Sequence, residues 1–116
     1  MTLVRVKRVY DRPTPDDGVR VLVDRLWPRG LKRDVSKIDL WLKDVAPSDE
    51  LRRWFGHDPS RWTQFQRRYS AELAGNSQNV ATLRELMKAG KPLTLLFAAK
   101  DMEHNNAIVL RAFLVA

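Results

Sequence analysis

Residues 93–106, LTLLFAAKDMEHNN, set the reading of the whole chain. Leu93, Leu95, Leu96, Phe97, Ala98 and Ala99 run with almost no polar interruption. That pattern is expected of a strand covered on both faces, in a parallel sheet flanked by helices. The run stops at Lys100-Asp101, and His104-Asn105-Asn106 then precede AIVLRAFLV, a closing helix. In open α/β sheets, ligands sit beyond the carboxyl ends of strands, where such loops meet helix N-termini. The stretch therefore predicts a buried strand and, just after it, the place of a site.

Upstream of this stretch the pattern is helical. Gly90 and Pro92 separate it from a helix over 78–89 that turns Val80, Leu83, Leu86 and Met87 inward. Gly75-Asn76-Ser77 divides that helix from an earlier one, which starts at Asp58-Pro59-Ser60 and places Trp62, Phe65, Tyr69 and Leu73 at helical spacing. A shorter helix opens at Pro47-Ser48, with Ser48 as N-cap, Asp49 and Glu50 in its first turn, and Gly56 as its stop. Residues 31–46 are ambiguous: 39–45 reads as short helical turns, and an added strand there stays open. Residues 3–10 and 19–24 alternate as strands on either side of the turn-rich DRPTPDDG. The long helical excursion between the second strand and the 93–99 strand makes those two parallel. The loops after Asp24 and after Ala99 then lie at one edge of the sheet. A single small three-layer α/β domain over residues 1–116 is expected, with a mainly parallel sheet.

Composition narrows the chemistry. The chain has no cysteine, which excludes disulfides, thiolate metal sites and a Cys nucleophile. Two histidines, His57 and His104, are too few for a histidine-based zinc site unless several carboxylates assist, so no metal or cofactor is expected. There is no Walker loop and no GxGxxG, and the serines fall at caps and linkers rather than in a nucleophilic triad. Asp16-Asp17 and Asp49-Glu50 read as turn and cap residues. No apolar run approaches the roughly 20 residues of a membrane span. The opening MTLVRVKRVY carries charge where an export signal needs an apolar stretch, so a cytoplasmic protein is expected. The net charge of +7 favours anionic partners.

The two loops supply the candidate residues. Arg25, Arg29 and Lys100 offer charge to a phosphate or carboxylate, Trp27 a ring to stack on a base, and Asn105 a polar contact at the helix start. Asp24, Asp101 and His104 are the candidates for orienting a ligand or moving protons. Each has a structural alternative. Asp24 could pair with an adjacent arginine, Trp27-Pro28 could plug the loop onto the core, and Asp101 or Asn105 could simply cap the closing helix. Two further functions compete with a small-anion site. One is nucleic-acid binding through Arg5, Lys7, Arg8, Arg29, Lys32 and Arg33; the other is protein interaction. The arginines of the helical middle read as solvated faces beside a Trp and Phe core.

Four segments also carry a family likeness. KRVYD at 7–11, DG-x-R-x-LVDRLWPRG at 17–30, PS-x-ELR at 47–52 and LTLLFAAKD-x-x-HN-x-A at 93–107 resemble the YeaO-like bacterial proteins, domain-of-unknown-function family 488. The likeness runs nearly end to end, and VDRLWPRG is its most specific signature. The resemblance implies membership but brings no established activity with it. Some relatives are labelled transcriptional regulators, yet no helix-turn-helix is visible here. Similar sequences often carry a His just after the Asn of the closing HN motif, where this chain has Asn106. That departure puts a mechanism needing two histidines at this helix start in doubt.

Overall fold

In the computed structural model, which describes residues 3–116, the strand predicted to be buried on both faces sits inside a four-stranded sheet. The strands are β1 (Val4–Arg8), β2 (Val19–Leu22), β3 (Leu40–Trp41) and β4 (Leu93–Phe97), in the order β1-β4-β2-β3. All pairings are parallel. Every residue of β4 is buried, because β1 and β2 flank it and both its faces are covered. This is the physical reason its sequence lacks alternation.

The two faces are covered unequally. Val4, Val21, Leu93, Leu95 and Phe97 point into the main core, against four helices. These are α2 (Asp49–Phe55), α3 (Trp62–Ala74), α4 (Ser77–Lys88) and α5 (Asn106–Val115). The opposite face carries a smaller cluster of Val9, Leu22 and Leu96 beneath Trp27, Leu31, Ile38 and Trp41. Trp27, Leu31 and Ile38 belong to the connection between β2 and β3, and Trp41 to β3 itself; the one-turn helix α1 (Arg33–Ser36) of that connection is the only helical part of the layer among the described residues. Within 39–45 the chain makes β3 and then a 3-10 turn, Lys43–Val45. Both readings left open for this segment are present in part: Asp39 N–H donates to the Arg20 carbonyl and Leu42 N–H to that of Leu22, which extends the sheet by a short edge strand before the helical turn.

The helix boundaries follow local chemistry. Ser48 Oγ accepts the Leu51 N–H at the start of α2, and Glu72 of α3 holds Ser48 through both its backbone N–H and its hydroxyl. Gly56 ends α2 in the left-handed region, which glycine enters without a Cβ clash. Tyr69, fully buried in α3, donates its hydroxyl to the Val45 carbonyl at 2.7 Å, and burial pushes its phenol well above the ordinary value.

At the amino ends of the strands lies a closed polar knot. Asp17 is only 2% exposed. It accepts from the Thr14 N–H and hydroxyl and from Lys7 Nζ, and it pairs with the buried Arg20. Arg20 also donates to the carbonyls of Ser36 and Lys37. Burial alone would raise the Asp17 carboxyl, but these donors outweigh it and hold the group far below the usual carboxylate range. Gly18 follows with φ 63°, and a Cβ there would lie 2.1 Å from the Pro92 carbonyl oxygen, so only glycine fits.

Candidate functional site at the carboxyl ends of the strands

Parallel pairing of β2 with β4 brings the loops that leave Leu22 and Phe97 side by side. Between them, and against α2, α3 and the start of α5, lies a cavity of about 740 Å³. Asp24, Arg25, Trp27, Arg29, Lys100, Asp101, His104 and Asn105 all line it. The candidates picked from two distant segments are therefore neighbours around one space. Much of the remaining wall is apolar: Leu26, Pro28, Pro47, Phe55, Phe65, Ala98 and Ala99.

The residues differ in how they are held. Asp24 Oδ2 accepts the Ala98 N–H at 2.9 Å, and Oδ1 accepts from Asn106 Nδ2 at 3.1 Å. Asn106 also donates to the Val23 carbonyl, so one amide ties the start of α5 to the end of β2. The structural alternative, a pairing of Asp24 with an adjacent arginine, does not form. Arg25 turns instead to the carbonyls of Pro47 and Ala46, both at 3.3 Å, and lies 3.9 and 3.8 Å from Asp44 and Asp49. It fastens the loop to the segment before α2. Burial pushes the Asp24 carboxyl above its ordinary value, against the Ala98 N–H, the Asn106 amide and the charge of His57, which pull it down.

Across the cavity, Asp101 organises its own loop. Its Oδ1 accepts the N–H groups of Glu103 and His104, and its Oδ2 lies 2.8 Å from His104 Nδ1. The Glu103 N–H and the His104 ring hold the Asp101 carboxyl below the usual range. The His104 ring sits edge-on to Trp62, 5.1 Å between centroids. With Nδ1 committed to Asp101, Nε2 is the nitrogen left without a hydrogen bond among the described residues. Asn105 is the true cap of α5, accepting the Ile108 N–H and donating to the Asp101 carbonyl.

Two cations in the lining are uncommitted. Among the described residues neither Arg29 nor Lys100 has an acidic partner; only the Arg29 carbonyl is used, by the Tyr10 hydroxyl. Trp27 plugs its loop: its indole N–H donates to the Leu31 carbonyl, its ring meets Trp41 edge-on, and the Arg33 guanidinium lies over it at 4.4 Å. Several basic side chains elsewhere are engaged. Lys7 serves Asp17, Arg8 holds the carbonyls of Ala98 and Ala99, and Arg61 and Arg68 both lie over the ring of Trp54.

Sequence reasoning missed several wall residues. His57 lines the cavity in the left-handed region with φ 57°, directly after Gly56. Its position follows from how α2 ends, a tertiary placement with no local signature. Arg52 and Tyr10 also reach the wall. Asn106 does have a local signal, since it stands at the start of the closing helix, next to the cap Asn105. Among the described residues no three His, Cys, Asp or Glu side chains gather as a metal site, and no helix is long and apolar enough to cross a membrane.

Fold and cavity together define an open, all-parallel α/β domain with its candidate site at the strand carboxyl ends. More particularly, the chain belongs to the family described as the inactive DUF488-N3 subclade, whose model matches residues 3–116. It is 43% identical over 111 residues to the uncharacterized protein YeaO of Escherichia coli, covering 96% of each chain. It is 45% identical over 113 residues to uncharacterized proteins of Mycobacterium tuberculosis and Mycobacterium bovis, covering 97% of this chain and 94% of theirs. No solved structure matches it significantly.

Proposed function

We propose that the cavity binds a phosphorylated or nucleotide-like small anion. The observation that carries this reading is the pair of uncommitted cations, Arg29 and Lys100, on the rim of a largely apolar cavity. A charged group held at the mouth and a flat body against Phe55 and Phe65 suit such a space, whose 740 Å³ is within the range of ordinary ligand pockets. The start of α5 lies in the same wall and favours negative charge there. His104, oriented by Asp101, and Asp24 are placed to hold or exchange protons with a ligand. The family's description as an inactive subclade favours binding over turnover as the role of those groups.

The test is a thermal-shift screen of the purified protein at low and moderate salt, with inorganic phosphate, sugar phosphates, nucleotides, carboxylates and oligonucleotides. A ligand that binds only the folded protein raises Tm by mass action. A small anion should do so, and the shift should survive moderate salt and vanish in Arg29→Ala/Lys100→Ala. Shifts confined to oligonucleotides and lost with salt would overturn the reading in favour of a nucleic-acid surface. Silence across the panel would leave the protein-interaction alternative.

A further inference from the structure

The anion reading leaves open what the free acceptor capacity of the Asp24 carboxylate, in the wall of the same cavity, would receive. A carboxylate can accept about four hydrogen bonds. Asp17 takes up that capacity with Thr14, Lys7 and Arg20. Asp24 accepts two, one on each oxygen, and among the described residues no lysine or arginine pairs with it. Its sequence neighbour Arg25 is drawn off to the carbonyls of Ala46 and Pro47.

Both donors that Asp24 does receive are themselves fixed. The Asn106 amide is also bonded to the Val23 carbonyl, and the Arg8 guanidinium grips the carbonyl of Ala98. The carboxylate is thus held in one orientation in the wall of the cavity with half its acceptor capacity open. A rigid, half-satisfied acceptor in a mostly apolar wall selects for a donor, because any ligand that covers it without one leaves it desolvated and unpaired.

We infer that the ligand has two unlike ends: a phosphate held by Arg29 and Lys100, and a nucleobase whose N–H donates to the Asp24 carboxylate. Asp24 is then the specificity-determining residue of the site, and nucleoside monophosphates are the ligand class. The inference rests on the anion-binding reading and adds the base end to it. All four common bases carry an N–H donor on their pairing edge, so the class is broader than one base.

The probes are the four nucleoside 5′-monophosphates, ribose 5-phosphate and inorganic phosphate, titrated calorimetrically against the wild-type protein, Asp24→Asn and Arg29→Ala/Lys100→Ala. At least one monophosphate should bind wild-type protein at least about tenfold more tightly than ribose 5-phosphate, the gap expected of one well-placed hydrogen bond to a charged acceptor. Asp24→Asn should erase that gap by weakening the monophosphate more than ribose 5-phosphate, and a cooperative thermal melt with the wild-type circular-dichroism spectrum shows that the variant is folded. Arg29→Ala/Lys100→Ala should weaken both ligands together. Equal affinity of all monophosphates and ribose 5-phosphate for the wild type would overturn the role of Asp24 and leave the anion site standing. A gap that persists in Asp24→Asn would overturn it too. Failure of every phosphate to bind the wild type would overturn both readings.

Discussion

The two ends of the sheet each take an aspartate out of water, and they treat it in opposite ways. At the amino ends Asp17 sits among Thr14, Lys7 and Arg20, and its carboxyl is held far below the usual range. At the carboxyl ends Asp24 receives one backbone N–H and one amide, no lysine or arginine among the described residues pairs with it, and burial drives its carboxyl up. The first arrangement satisfies itself and closes around its charge. The second leaves electrostatic work undone beside a cavity. Perturbed groups in clefts are where ligands and protons are handled, whereas saturated ion pairs are where folds are fastened. On the proposed reading, one small domain keeps the two tasks at opposite ends.

The sharpest break of this contrast is Asp17→Ala. Removing one member of a buried pair strands Arg20 without its carboxylate, at a cost of about 3–5 kcal/mol. Urea unfolding should show that loss; a change near zero would mean that the amino end is not the fastener. Asn106→Ala comes next, since it takes a donor from both Asp24 and the Val23 carbonyl, and should lower stability by about 1–3 kcal/mol in the same assay.

Titration sharpens the comparison by sign. Asp17 has a native value below its unfolded one, near 3.9. Its contribution is therefore present above that pH and is lost as pH falls toward the native value. Asp24 has a raised native value, so the folded state holds its proton longer, and stability declines as pH rises from about 4 to that value. Unfolding measured across this range should show the wild-type advantage over Asp17→Asn shrinking on acidification. The wild-type margin relative to Asp24→Asn should shrink as pH rises. Parallel profiles for the two variants would erase the distinction.

The smallest effect separates two arginines four residues apart. Arg25→Ala should cost about 1 kcal/mol, because its guanidinium ties the loop to Ala46 and Pro47. Arg29→Ala should stay within about 0.5 kcal/mol of wild type in the same melts while weakening anion binding.

Much of this was legible in the sequence, and the reasons are local. An uninterrupted run from Leu93 announces a strand buried on both faces, and turn signals after Asp24 and Ala99 mark strand ends that parallel pairing must bring together. Ser48, Gly56 and Asp58 act as boundaries through hydrogen bonds and backbone geometry confined to a few residues. What stayed hidden depends on tertiary neighbours. β3 is two residues long and exists only because Arg20 and Leu22 offer carbonyls to it. Asp17 reads as a turn residue because its partners Lys7 and Arg20 lie in strands on either side. A charged residue inside the apolar VRVL of β2 was nonetheless a signal, for a buried arginine needs a buried acid. The competition between Asp24 and the carbonyls of Ala46 and Pro47 for Arg25 had no sequence signature at all.

The order β1-β4-β2-β3 has a temporal meaning as well. β1 and β2 share no hydrogen-bonded edge; each pairs with β4, which the ribosome makes only after every other strand and the helices α1 to α4. Until Leu93–Phe97 emerges, the nascent chain can assemble helices and the two-residue contact of β2 with β3, but no β1 pairing. Folding of the sheet is therefore a late insertion into a waiting slot, dominated by distant partners, and belongs to the slower class of small domains.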